Sequence, residues 1–340
     1  MSRLARAWER WVDFWDEREA PTSLALVRIC LGLCLLWDFG QIGGFGLVDA
    51  LFGVGSVDGL ADAMTRNNIP WFYEVFPATL ASARGLWVLL MVCATTFTLG
   101  LFTRTSALVL VIAWVQFGAI NPYADRGIDT LCRLILMILV FAPSGGTLSL
   151  DAWRRTGSWI DASARPAWTR KLLILQLVLM YFSAGIMKTG VTWWPWGGSS
   201  ALYFALQDPA VARWDFFTWR SPIWFAFTAV GATVTLLYQW TYPTVLLLMW
   251  WRRNPGRGGR LAAFANRWRL EFIWVGLGAI FHISLAATME LGIFPWAMMA
   301  LYPVWLAPHE WTGLWEGARN LVLARLPRRA HGSRGPGGAA

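Results

Sequence analysis

Eight apolar stretches, most of about 16–22 residues, constrain this chain more than any other feature. At ~1.5 Å of rise per residue, such a stretch covers the ~30 Å hydrocarbon core of a bilayer. They lie at about 22–40, 86–102, 105–120, 128–142, 171–188, 222–251, 269–287 and 291–307. The sixth is long and holds Pro243, which leaves open one kinked helix or a span plus a re-entrant piece. Only 14% of residues are charged and 56% are hydrophobic, where a soluble domain carries about 25% charge. A soluble enzyme, a disordered chain and a disulfide scaffold are excluded. The expected fold is all-α and polytopic, with about eight transmembrane helices.

Residues 1–21 differ in character. Leu4, Trp8, Trp11 and Trp15 share one helical face, as in a helix lying on the membrane surface. No small-residue cleavage site follows an N-terminal apolar run, so no removable signal peptide is expected. The expected organisation is an interfacial helix over 1–21, a transmembrane domain over 22–307 and a basic, partly disordered tail over 308–340.

The formal charge is +9. With the N-terminus on the cytoplasmic side, the cytoplasmic segments hold 21 of the 29 Lys and Arg and the outer ones hold 5. That asymmetry follows the positive-inside rule and places both termini in the cytoplasm of a plasma (inner) membrane. The excess charge is thereby explained by topology, and no nucleic-acid partner is expected; the partner is the lipid bilayer. Cys30, Cys34, Cys93 and Cys132 fall in or beside spans without a CxxC pair and read as packing residues. His309 and His331 lie in the tail, away from His282, so no metal site is expected.

Ionisable groups at membrane depth are costly, and each marks a candidate site. Asp38, Asp129, Arg133, Lys188, His282 and Glu290 fall toward the outer side and imply a polar cavity opening outward, while Arg28 lies in the cytoplasmic half. Lys188 is one of only two lysines among 29 basic residues. A desolvated lysine can serve as a base, and one at a helix end can equally snorkel to the headgroups. Tyr181, Gly185 and Lys188 share a helical face, and Ser183-Ala184-Gly185 permits close approach of another helix. Asp129 and Arg133, at i and i+4, are positioned to pair. Asn121 and Tyr123 bring an amide and a phenol to the same edge. His282 reads either as a proton-transfer group or as a hydrogen-bonded interior residue. Trp193, Trp194 and Trp196 read as an interfacial belt or as the wall of a flat substrate site.

The segment Tyr181-Phe182-Ser183-Ala184-Gly185-Ile186-Met187-Lys188, followed by Trp193, resembles a stretch of the vitamin K-dependent γ-glutamyl carboxylases. It also resembles the bacterial horizontally transferred transmembrane (HTTM) family, to which their membrane domain belongs. Phe281-His282, Gly292-Ile293-Phe294-Pro295, Met299 and Tyr302-Pro303 form a second match, with Asn121, Asp129 and Ser149-Leu150-Asp151 matching between the spans. The resemblance implies that Lys188 is the base that deprotonates a reduced quinone, with Met187 replacing the first lysine of the family's pair. It implies proton-handling or positioning roles for His282 and Asn121, with Asp129, Arg133 and Tyr181 as supporting cavity residues. The carboxylases' histidine before span four is replaced here by Asn121-Pro122-Tyr123, and about 33 residues follow the last span where those enzymes carry a large extramembrane part. The expectation is a carboxylase-like core acting on a quinone-like or lipid-like molecule, or modifying an exported peptide. The alternative is a non-catalytic maturation factor for a secreted peptide, as in sporulation-delaying toxin systems.

Overall fold

Proline, glycine and capping side chains decide how the apolar stretches become helices. The computed structural model describes residues 3–53, 59–61, 71, 74–254 and 256–325. The end of the expected disordered tail, 326–340, lies outside the described residues. Six helices are long and apolar enough to cross a membrane: α2 (Thr22–Gly44), α4 (Leu80–Leu99), α5 (Thr103–Ile120), α8 (Trp168–Ile186), α10 (Pro222–Thr241) and α13 (Leu270–Thr288). They are preceded by the expected amphipathic helix, α1 (Arg3–Asp16), whose Leu4, Trp8 and Trp11 are exposed. A short helix, α3 (Leu47–Phe52), follows α2.

The expected count of eight spans is not reproduced. The fourth stretch forms α6 (Gly127–Phe141), a helix of 15 residues, about 22 Å long. It is closed at its start by the Asp129 carboxylate, which accepts from the Arg126 backbone N–H at 2.9 Å. At its end Pro143 forces Ala142 into an extended backbone, φ −75° and ψ 147°. The eighth stretch breaks into α14 (Phe294–Ala300) and a 3-10 turn over Tyr302–Trp305, because Pro303 lacks the N–H that would continue the helix. The second begins earlier than its hydropathy suggests, since the Thr79 hydroxyl caps α4 by accepting from the Ser82 N–H.

Pro243 separates α10 from α11 (Thr244–Arg253), yet Tyr242 and Pro243 both keep right-handed helical dihedrals. The sixth stretch is therefore a kinked helix. The remaining elements lie outside the long helices: α7 (Leu150–Thr156), α9 (Ala201–Ala205), α12 (Gly259–Trp268) and α15 (Pro308–Arg325). A two-residue antiparallel pair joins β1 (Arg18–Glu19) to β2 (Arg165–Pro166).

The helices are unevenly enclosed. Of the apolar windows of α2 and α5, 61% is buried, against 28% for α10 and 22% for α13. The main core forms around α2, where Leu31, Leu35 and Phe39 meet α4 and α5 residues such as Leu90, Phe97 and Trp114. Arg28 of α2 is fully buried and structural. Its guanidinium donates to the carbonyls of Ser144, at 2.6 Å, and Leu148, fastening the loop between α6 and α7. Asp151 accepts from the N–H groups of Phe102 and Thr103, both at 2.9 Å, and so caps α5 from α7. At the end of the bundle that carries α1, termed the base below, the Lys171 ammonium donates to the Phe14 carbonyl and pairs with Glu17 at 2.7 Å.

Candidate functional site

Tyr181 of α8 and His282 of α13 meet about 18–20 Å along their helices from the base. The Tyr181 hydroxyl lies 2.6 Å from His282 Nε2 and 2.8 Å from the Tyr302 hydroxyl. Three elements thus contribute to one chain of hydrogen bonds: α8, α13 and the 3-10 turn where the eighth stretch breaks. His282 is fully buried, and its Nδ1 has no hydrogen-bond partner among the described residues.

Aromatic rings enclose this chain. Tyr181 stacks on Tyr242 with centroids 4.1 Å apart, and Tyr238 stands edge-on to both. Phe294 meets the imidazole edge-on at 5.6 Å. The kink at Pro243 contributes here, because Tyr242 sits at the bend and is fully buried. Gly278, one turn before His282, leaves room for the phenols. A Cβ at that position would collide with the hydroxyl oxygens of Tyr238 and Tyr302.

The chain can hold a mobile proton in two ways. Tyr302 can donate to Tyr181, and Tyr181 to a bare Nε2, which leaves the proton on Nδ1. Alternatively, Nε2–H donates to Tyr181 and Tyr181 to Tyr302, and Nδ1 becomes an acceptor. A proton accepted at Nδ1 converts the second arrangement into the first, as Tyr302 gives up its own hydroxyl proton. Each buried group that lacks a partner in a low-dielectric interior favours a ligand that supplies one.

The other expected site residues are placed elsewhere. Lys188 follows the end of α8, donates to the Ala184 carbonyl at 3.0 Å and lies 4.9 Å from the centroid of the Trp193 ring. Its ammonium satisfies one of the carbonyls that a helix end leaves open. It stands seven residues beyond Tyr181, about 10 Å further along the chain direction, and is not joined to the His282 chain. The Asn121 amide donates to the Leu51 carbonyl at 2.7 Å and its oxygen accepts from the Tyr123 N–H at 3.2 Å, which makes it a corner residue between α5 and α6.

The expected Asp129–Arg133 pair does not form. Asp129 accepts from Arg126, at 2.9 Å from the backbone and 2.8 Å from the guanidinium, because its capping role turns it back toward the helix start. Arg126 reaches across to Asp38 of α2 at 2.6 Å. Arg133 is left to fork onto Asp125 at 2.6 and 2.8 Å. Glu290 pairs with Arg213 at 2.7 Å near the end of α13. Asp38 and Asp129 share Arg126 in ion pairs that tie α2 to the start of α6, and Arg133 is held by Asp125 of the loop before that helix.

Tyr238, Tyr242, Tyr302 and Gly278 were not foreseen as site residues. A compositional signal was present, since four of only 7 tyrosines and one of 3 histidines gather at this point. Among the described residues, no group of three or more His, Cys, Asp or Glu side chains is arranged to hold a metal ion.

The family model described as the HTTM domain matches residues 17–253, a range that includes Tyr181, Lys188 and Tyr242 and stops before His282. No solved structure matches the chain. The match covers well over half of the sequence and takes in five of the six long apolar helices, and the chain belongs to the HTTM-domain family as an integral, multi-pass membrane protein.

Proposed function

We propose that this HTTM-family protein is an enzyme that transfers a proton to or from a small bilayer-soluble molecule of the quinone class at His282. The observation that carries the reading is the buried imidazole with one nitrogen engaged by Tyr181 and the other open. A quinol hydroxyl donating to Nδ1 would complete the hydrogen bonding of His282. Nδ1 would take this proton as Nε2 passes its own to Tyr181, Tyr181 its own to Tyr302 and the half-buried Tyr302 its own to solvent, leaving the quinolate oxygen paired with the imidazole N–H. The apolar rings of Phe281 and Phe294 beside the imidazole suit a planar ring. Lys188 has its own place in this reading, as a second proton acceptor in its neutral amine form. The Lys and Arg distribution supports a cytoplasmic base, which would put His282 nearer the outer face.

The test uses the full chain in lipid nanodiscs titrated with a reduced naphthoquinone. Tryptophan quenching reads binding, and the ultraviolet difference spectrum reads quinol ionisation. His282→Ala is expected to weaken binding by about tenfold, the worth of one buried hydrogen bond, and to abolish the ionisation signal. Tyr181→Phe is expected to keep binding and lose ionisation. Equal binding and ionisation in wild type and both variants would sink the reading. Full ionisation in Lys188→Arg would remove Lys188 alone, because arginine does not give up its proton.

A further inference from the structure

The base of the bundle holds a cavity of about 680 Å³ that the Tyr181–His282 chain does not use. It lies where β1, the start of α8, the end of α11, and the starts of α13 and α15 converge. Its charges are unbalanced. Glu17, Glu19, Glu271 and Glu310 face Arg18, Arg170, Arg252 and Arg253 on the wall, while Lys171 and Arg269 join the same carboxylates from beside it.

The inner cations are committed. Arg170 forks onto Glu19 at 2.5 and 2.8 Å and donates to the Val304 carbonyl at 3.0 Å. Arg252 bridges Glu271 and Glu310 at 2.9 and 2.5 Å. The outer cations are not fully used. Arg253 gives one terminal nitrogen to Glu17 at 3.1 Å, and Arg18 has no ion-pair partner among the described residues. Both are exposed.

Most of the remaining wall is apolar, with Met249, Phe272, Val275 and Trp305, while His309 and Thr312 add polar groups beside α15. Trp305 is 4% exposed, and its indole N–H has no hydrogen-bond partner among the described residues. A buried donor of this kind calls for an acceptor that the protein does not supply. Guanidinium forks at the rim, a buried donor and an apolar wall make a site with a charged mouth and a greasy floor.

We propose that this cavity binds the head of an anionic phospholipid, with Arg18 and Arg253 on the phosphate, an ester carbonyl accepting from the Trp305 indole N–H and the start of the acyl chain against Met249, Phe272 and Val275. A soluble phosphate ester shares the head chemistry. The apolar wall and the position at the ends of α8 and α13, where headgroups begin, favour the amphiphile. The site is independent of the proton-transfer reading, and its test reads binding alone.

Full-length protein in mild detergent is mixed with equal phosphatidylglycerol and phosphatidylcholine and read by native mass spectrometry. Wild type is expected to retain several-fold more phosphatidylglycerol, and the Arg18→Gln/Arg253→Gln variant to fall to parity at an unchanged melting temperature. Trp305→Phe, which removes only the N–H and some ring area, is expected to reduce retention while keeping the headgroup preference. Glycerol 3-phosphate at millimolar concentration should leave the retained lipid in place. Its displacement of the lipid would overturn the amphiphile in favour of a soluble phosphate ester. Equal retention of both lipids by wild type and the double variant would overturn the phosphate site altogether.

Discussion

Arg126 shows how a single side chain can settle the fate of several. Its guanidinium serves Asp38 on α2 and Asp129 on α6, both nearly buried, so removing it strands two carboxylates. Arg126→Gln is expected to lower unfolding stability by about 2–3 kcal/mol, below the cost for a fully buried pair because the arginine is partly exposed. Adding Asp38→Asn should recover part of that loss in the same denaturation series. A single variant as stable as wild type would show that the pairs contribute nothing. Sequence spacing pointed to Asp129 with Arg133 because i and i+4 residues share a face. It could not show that an N-terminal cap draws Asp129 backward, or that a carboxylate on another helix competes for the same arginine. His282 and Tyr181 were legible as expensive polar groups. Their partnership was not, since 101 positions separate them along the chain.

At the scale of elements, the crossing of α8 and α10 is the contact most open to a direct check. A Cβ on Gly185 would stand 2.9 Å from the Trp240 ring, 3.0 Å from Gln239 Cβ and 3.1 Å from the Gln239 backbone. The Trp240 indole also donates to the Gly185 carbonyl at 2.9 Å. Gly185→Ala should push the helices apart and cost about 1–3 kcal/mol, the usual range for overpacking. Gly276→Ala on α13, with nothing within 4 Å of the added methyl, should be neutral or stabilising by up to about 1 kcal/mol, as alanine favours the helix. Equal melting temperatures for the two variants would contradict the close crossing. The small-residue run at 183–185 was readable as a helix contact. The break of the eighth stretch was not read, although Pro303 announces it, because hydropathy averaging passes over a single missing N–H. That break is what turns Tyr302 toward Tyr181.

For the whole molecule, the ion pairs at the base join segments far apart in the chain. Glu310 of α15 meets Arg252 of α11 and Arg269 at the start of α13, with Glu271 alongside. Burial pushes the Glu310 carboxyl up, yet hydrogen bonds from Arg252, the Ala307 N–H and Arg269 hold it below the usual carboxylate range. A depressed carboxyl adds stability above its unfolded value of about 4.3 and loses it as pH falls through the folded value. The melting-temperature gap between wild type and Glu310→Gln should therefore be full near neutral pH and close below about pH 4. A gap unchanged with pH would assign the stability to something other than the charge. Sequence reading placed the arginines of this end together through their bias to one side, but hydropathy carries no information on which carboxylates they face.

The contrast between α2 and α6 has a consequence for the surrounding bilayer. One helix runs 23 residues and the other 15, about 34 Å against 22 Å. Leu134, Met137 and Phe141 face outward from the shorter one. Lipid cannot match both lengths while remaining flat. Thickness mismatch costs a fraction of a kcal/mol per ångström, and a local pinch beside α6 would relieve it. At such a pinch the headgroups and their water would descend toward Asp125, Arg126 and Arg133, and would hydrate the charged end of a helix too short to reach the average surface.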